Sequence, residues 1–173
     1  MKIMLNNKFK FIYILTFILM IAVTCRKDDD DRKNSLTVYE TEFLTPNGYL
    51  EIFSPEQDGG DFDIILTDGE YIADSAYYYN WNTFVCFDLK SVSTTELTSG
   101  EYVYNSGWLP GSFYYSFISM YSTAGVSFDI TDGTVSVEKT GDDYEISYDV
   151  TIGSSTRVTG FFKGPLTEID NTQ

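Results

Sequence analysis

Histidine is absent from the 173-residue chain, and cysteine occurs only twice. Without an imidazole, this chain cannot build a Ser-His-Asp or Cys-His catalytic set, a histidine zinc site or a histidine pH switch. Basic residues are scarce too, 11 against 26 acidic ones, for a formal charge of −15. So anionic a chain repels phosphate, and its body has no Lys/Arg cluster to drive counterion release, so nucleic acid is excluded as a partner. Apolar residues at the three-and-four spacing of a helix are missing after residue 34. No motif for a cofactor is present, and none is expected. What remains is a body rich in Tyr and Phe, with 14 and 13 residues, punctuated by 13 glycines.

The N-terminal segment has a different composition. Residues 1–10 carry Lys2, Lys8 and Lys10 and no acid, and they run into the apolar stretch 11–23. As a helix that stretch measures roughly 20 Å, short of the ~30 Å hydrocarbon core that a membrane span must cross. It therefore reads as an export signal. At its end stands Ala22-Val23-Thr24-Cys25, followed by Arg26-Lys27-Asp28-Asp29-Asp30-Asp31. The first motif resembles the lipobox of bacterial lipoproteins, with Thr24 where a smaller residue is usual. The second resembles the acidic tag that Bacteroidetes lipoproteins carry after the cysteine. The resemblance implies a signal peptide over 1–24, lipidation of Cys25 and a polar tether over 25–35. It further implies attachment to the outer membrane through the lipid on Cys25, at the cell surface. Acyl chains contribute about 0.8 kcal/mol per buried methylene, so two or more of them anchor the protein without help from the body.

From residue 36 to 173 period-two alternation predicts a single all-β domain. The last third is the clearest. Val135 and Val137 share a face, as do Tyr144, Ile146, Tyr148, Val150 and Ile152, and then Val158 and Phe162. Short turns between these runs predict an antiparallel meander. Residues 83–89 form the most apolar run and read as a central strand. About eight to ten strands are expected, arranged as an antiparallel β-sandwich or an up-and-down barrel. The pattern from Gly133 through Gly141-Asp142-Asp143-Tyr144 to Gly160-Phe161-Phe162-Lys163-Gly164 also resembles uncharacterised Bacteroidetes lipoproteins. That resemblance implies a β-sandwich or lipocalin-like barrel with no assigned enzymatic role.

Three groups of side chains could carry function. Cys86, between Val85 and Phe87, reads as a small core residue, because no histidine is present to activate it. Acids cluster at Asp58, Asp61 and Asp63, and as pairs elsewhere, mostly in turns where they cap their own backbone. A calcium site at 58–63 lacks the alternating spacing of an EF-hand and would have to borrow ligands from another loop, so no metal is expected. The aromatic group is the most suggestive. Tyr77-Tyr78-Tyr79 cannot all face one way in a strand, so at least one ring must point outward. Tyr77, Tyr79, Trp81, Trp108 and Tyr115 are the candidate ligand-binding residues, since flat rings with polar edges suit sugars and peptide backbones. The favoured reading is a non-catalytic surface lipoprotein that binds a glycan or another envelope protein. The alternatives are an adhesin-like assembly component and a glycoside hydrolase using two carboxylates.

Overall fold

The computed structural model describes residues 32–56, 58–120 and 126–172. The expected signal peptide, Cys25 and the acidic tag lie outside the described residues. The domain is all-β, as the alternation predicts. Among the described residues the one helical piece is a 3-10 turn at Ala73–Ser75. The first half of the chain forms β1 (Ser35–Val38), β2 (Thr41–Leu44), β3 (Asn47–Ile52), β4 (Gly60–Thr67), β5 (Glu70–Ile72), β6 (Tyr77–Tyr79) and β7 (Thr83–Ser91). The second half forms β8 (Gly100–Tyr104), β9 (Ser112–Met120), β10 (Val126–Thr140), β11 (Asp143–Ile152), β12 (Thr156–Pro165) and β13 (Thr167–Asp170).

Eleven of these strands make one sheet in the order β13-β3-β4-β7-β9-β8-β10-β11-β12-β1-β2, while β5 and β6 form a separate hairpin. Of the two expected architectures the sheet follows the barrel, curling into a half-barrel. Its details differ from the expectation in two ways. The strands outnumber the expected eight to ten because β1, β2, β5, β6 and β13 have only three or four residues each, too few for alternation to register. The sheet is also mixed and not purely antiparallel: β13 runs parallel to β3, and β8 parallel to β9. The expected C-terminal meander of β10, β11 and β12 is present, and β7 is central, between β4 and β9.

The curl follows from which residues face inward. Tyr144, Ile146, Tyr148, Val150 and Ile152 all turn into the main core, where they meet Phe62, Ile64 and Leu66 of β4 and Val85, Phe87 and Leu89 of β7. Burying such side chains is worth roughly 1.5–3 kcal/mol each, and one sheet can bury one of its own faces only by wrapping around it. The wrap is tight. A Cβ at Gly48 would lie 2.5 Å from both Phe162 Cζ and Leu166 Cδ2, so β3 approaches β12 closely. From β12 the chain passes through buried Leu166 into β13, which pairs with β3 and joins the two sides.

Gly160 has a related role. It pairs with Tyr148, whose phenol lies across the space a Cβ would occupy. The Tyr148 hydroxyl is buried with no hydrogen-bond partner, and burial pushes its pKa well above that of ordinary tyrosine. Packing of the ring, and not its hydroxyl, therefore holds this part of the core. Gly160→Ala should cost about 1–3 kcal/mol in urea unfolding through overpacking. Tyr148→Phe should be neutral or stabilising, because it removes an unsatisfied buried polar group. A Tyr148→Phe variant that lost stability on the scale of Gly160→Ala would contradict this assignment.

Candidate functional site

Strand β7 is buried on both faces. Its inward residues join the main core, while Phe84 and Cys86 face outward into a second cluster with Tyr49, Ile65 and Ile169. An apolar outer face of this kind must be covered, and the β5–β6 hairpin covers it. Tyr71 and Tyr78 point down from the hairpin, with ring centroids 6.1 and 5.3 Å from Tyr49, and Tyr78 lies edge-on to Phe84 at 5.2 Å. Aromatic pairs of this geometry contribute about 0.5–1.5 kcal/mol each beyond the area they bury. Two polar contacts pin the hairpin. The Tyr71 backbone N–H donates to Tyr49 Oη at 3.0 Å, and the Tyr78 hydroxyl donates to Glu51 Oε1 at 2.6 Å. Burial, with the Glu51 carboxylate beside it, holds the Tyr78 hydroxyl protonated well above the usual tyrosine range.

With Tyr78 committed downward, Tyr77 and Tyr79 must point up, and they are 57% and 56% exposed. Together with Asn80, Trp81 and Asn82 they line an open hollow of about 420 Å³. Trp81 is tilted against Phe84 at 5.5 Å, so its ring is backed by the outer cluster. Asp68 fixes the floor of the segment: its carboxylate accepts from the Asn82 and Thr83 backbone N–H groups and from Asn82 Nδ2 at 2.7–2.9 Å.

The other two candidate rings lie elsewhere. Trp108 sits over the Lys90 ammonium at 5.6 Å, at the opposite end of β7 from Trp81. At ~3.3 Å per strand residue those ends are on the order of 30 Å apart. The Lys90 side chain is fully buried and ion-paired with Glu56 and with Asp58 Oδ1, so Trp108 serves as part of its cover. Tyr115 is exposed, lies tilted against Tyr114 with ring centroids 4.3 Å apart, and occupies a bulge opposite β7 with a left-handed φ of 48°. The structure thus gathers Tyr77, Tyr79 and Trp81 at one hollow and leaves Trp108 and Tyr115 outside it.

Between these regions lies a feature that sequence reading missed in part. Asp61 and Asp63 of β4 meet Asp88 of β7, with an oxygen from each within 4.8 Å of the others. Asp63 and Asp88 are register partners, and Glu51 pairs with Asp63 on the other side. One Asp88 oxygen is buried without a hydrogen-bond partner, and the Cys86 thiol donates to Asp63 Oδ2 at 3.7 Å. Burial first, then the charges of Asp61 and Glu51, pushes Asp63 up to about 7; burial, then Asp63 and Asp61, pushes Asp88 up to about 8. Burial also raises Asp61. The same surroundings hold the Cys86 thiol well above its ordinary value, which makes it unreactive, as the sequence suggests. Three carboxylates this close must share protons or bind a hard cation, for which Asp61, Asp63 and Asp88 are the available ligands. Asp58, the third acid of the sequence cluster, is drawn instead to Lys90.

Comparison with protein-family models, curated proteins and solved structures finds no match to this chain.

The acid cluster makes stability depend on pH with a definite sign. In the unfolded chain these carboxyls titrate near 4, whereas folded Asp63 and Asp88 hold their protons to about 7 and 8. Between those limits the folded state binds more protons than the unfolded one, so stability falls as pH rises and levels off above about pH 8. Thermal unfolding should show Tm declining from pH 5 to pH 8. Asp88→Asn should flatten that decline and raise Tm at pH 8. A wild-type Tm that rose over the same interval would contradict the raised values.

Proposed function

We propose that this chain is a non-catalytic lipoprotein, held at the outer cell surface by acyl chains on Cys25, that binds an uncharged glycan on the platform of Tyr77, Tyr79 and Trp81. The observation that carries the binding half is the outward pairing of Tyr77 and Tyr79, two positions apart on β6, beside Trp81 and two asparagines. Flat rings stack on the apolar faces of sugars, and neighbouring amides suit their hydroxyls. The strongly acidic body supports an uncharged ligand and disfavours anionic lipid headgroups, so the body stands off the bilayer on its tether. The lipobox and the acidic run after it support the anchoring half.

An adhesin that donates a terminal strand has less support. The last strand, β13, is paired with β3 along its whole length, from Thr167 with Tyr49 to Asp170 with Ile52.

Two variants test the two halves separately. Cys25→Ala should move the protein from the membrane pellet to the soluble fraction. Tyr77→Ala combined with Tyr79→Ala should leave the circular dichroism spectrum intact and weaken retention on a glycan array by about tenfold or more, the effect of about 1.4 kcal/mol. Pelleting of the Cys25 variant would refute the anchor, and undiminished array binding would refute the platform.

A further inference from the structure

A second hollow opens where β1 and β2 face the ends of β7, β9 and β10. Its volume is about 290 Å³, and its apolar lining comes from Val38, Phe43, Met120, Val126 and Phe128. Phe43, Met120 and Phe128 pack on the main core with one side yet remain only partly buried, because their other side faces this space. The β1–β2 connection shapes its lip. Val38 pairs with Thr41, leaving Tyr39 and Glu40 as a two-residue turn with left-handed φ values of 48° and 63°. The turn is tied back by Tyr39, whose hydroxyl meets Thr156 Oγ1 at 2.6 Å. On the opposite side, Asn82 commits its side-chain N–H to Asp68.

We infer that this hollow at the end of the half-barrel is a binding site for a compact, uncharged, apolar molecule, distinct from the glycan platform. Three observations fix that chemistry. Among the described residues no charged side chain lines the hollow, so a charged ligand would lose its hydration with nothing to replace it. Of the polar side chains in the lining, Tyr39 and Asn82 are already hydrogen-bonded within the protein and Thr41 and Thr83 offer one hydroxyl each, so apolar shape governs recognition. The size suits a small ligand: an apolar cavity of roughly 150 Å³ already admits benzene, and about 290 Å³ lies at the lower edge of ligand clefts, which start at about 300 Å³. A fused two-ring compound or a medium-length alkyl chain fits this space.

The probe is N-phenyl-1-naphthylamine, an uncharged dye that fluoresces in apolar surroundings, titrated into the soluble Cys25→Ala protein, which carries no acyl chains to take up the dye. Saturable binding of one dye per chain is expected, with a shift of the Met120 ε-methyl resonance in ¹³C-methyl spectra. Plugging the hollow with Val126→Trp or, independently, Thr41→Trp should weaken binding at least tenfold in whichever variant keeps the wild-type circular dichroism spectrum. Trp81→Ala should leave dye binding unchanged, which separates this site from the platform although Asn82 borders both hollows. Non-saturable binding, an unmoved Met120 methyl, or undiminished binding to a folded plugged variant would each overturn the assignment.

Discussion

The structure depends on one constraint: the segment of sheet made by β3, β4, β7 and β9 is apolar on both faces, and a single curled sheet can bury only the inner one. The outer cluster around Tyr49, Phe84 and Cys86 must be covered by something else, and the β5–β6 hairpin is what the chain supplies. That cover fixes much of the surrounding chemistry. Turning Tyr71 and Tyr78 onto the sheet forces Tyr77 and Tyr79 into solvent, which builds the aromatic platform. The same face carries Asp61, Asp63 and Asp88 beside the covered cluster, where lost hydration lifts their pKa values. Platform and acid cluster are thus two consequences of one covered face.

Charge separates the roles of the surfaces. Among the described residues the acids lie mostly at exposed positions, so the body repels anionic surfaces. The basic side chains of the fold are largely neutralised locally: Lys90 by Glu56 and Asp58, Arg157 by Asp149, and Lys163 by Glu145. Among the described residues neither hollow is lined by a charged side chain, which is consistent with neutral ligands at each.

How much of this was legible in the sequence varies by element. The meander of β10 to β12 was readable from residue 134 onward, because long strands with one wet face alternate cleanly, while the first half of β10, from Val126, was not. The centrality of β7 was readable from its apolar run, and the outward turn of some ring among Tyr77, Tyr78 and Tyr79 followed from strand geometry. The β1–β2 hairpin was not visible, since its turn is Tyr39-Glu40 and not the Asn-Gly pair that marks such turns. Asn47-Gly48, which looks like a turn, lies inside β3, where Gly48 answers to the close approach of Phe162 and Leu166. Asp88 escaped notice as a member of the acid cluster because its neighbours in sequence are Phe87 and Leu89. An acid inside the most apolar strand was the available signal, and only cross-strand register brings it to Asp63. The separation of Trp81 from Trp108 likewise follows from the length of β7 and its pairing, which composition does not encode.

Hydrogen–deuterium exchange on wild type and Tyr78→Ala tests the covering role of the hairpin most directly. Removing the inward ring takes away its contacts with Tyr49, Tyr71 and Phe84 and the hydrogen bond to Glu51. If those contacts hold the cover, amides of residues 70–79 lose at least tenfold in protection while β10, β11 and β12 exchange as in the wild type. Unchanged protection over 70–79, or equal loss through the meander, would contradict it.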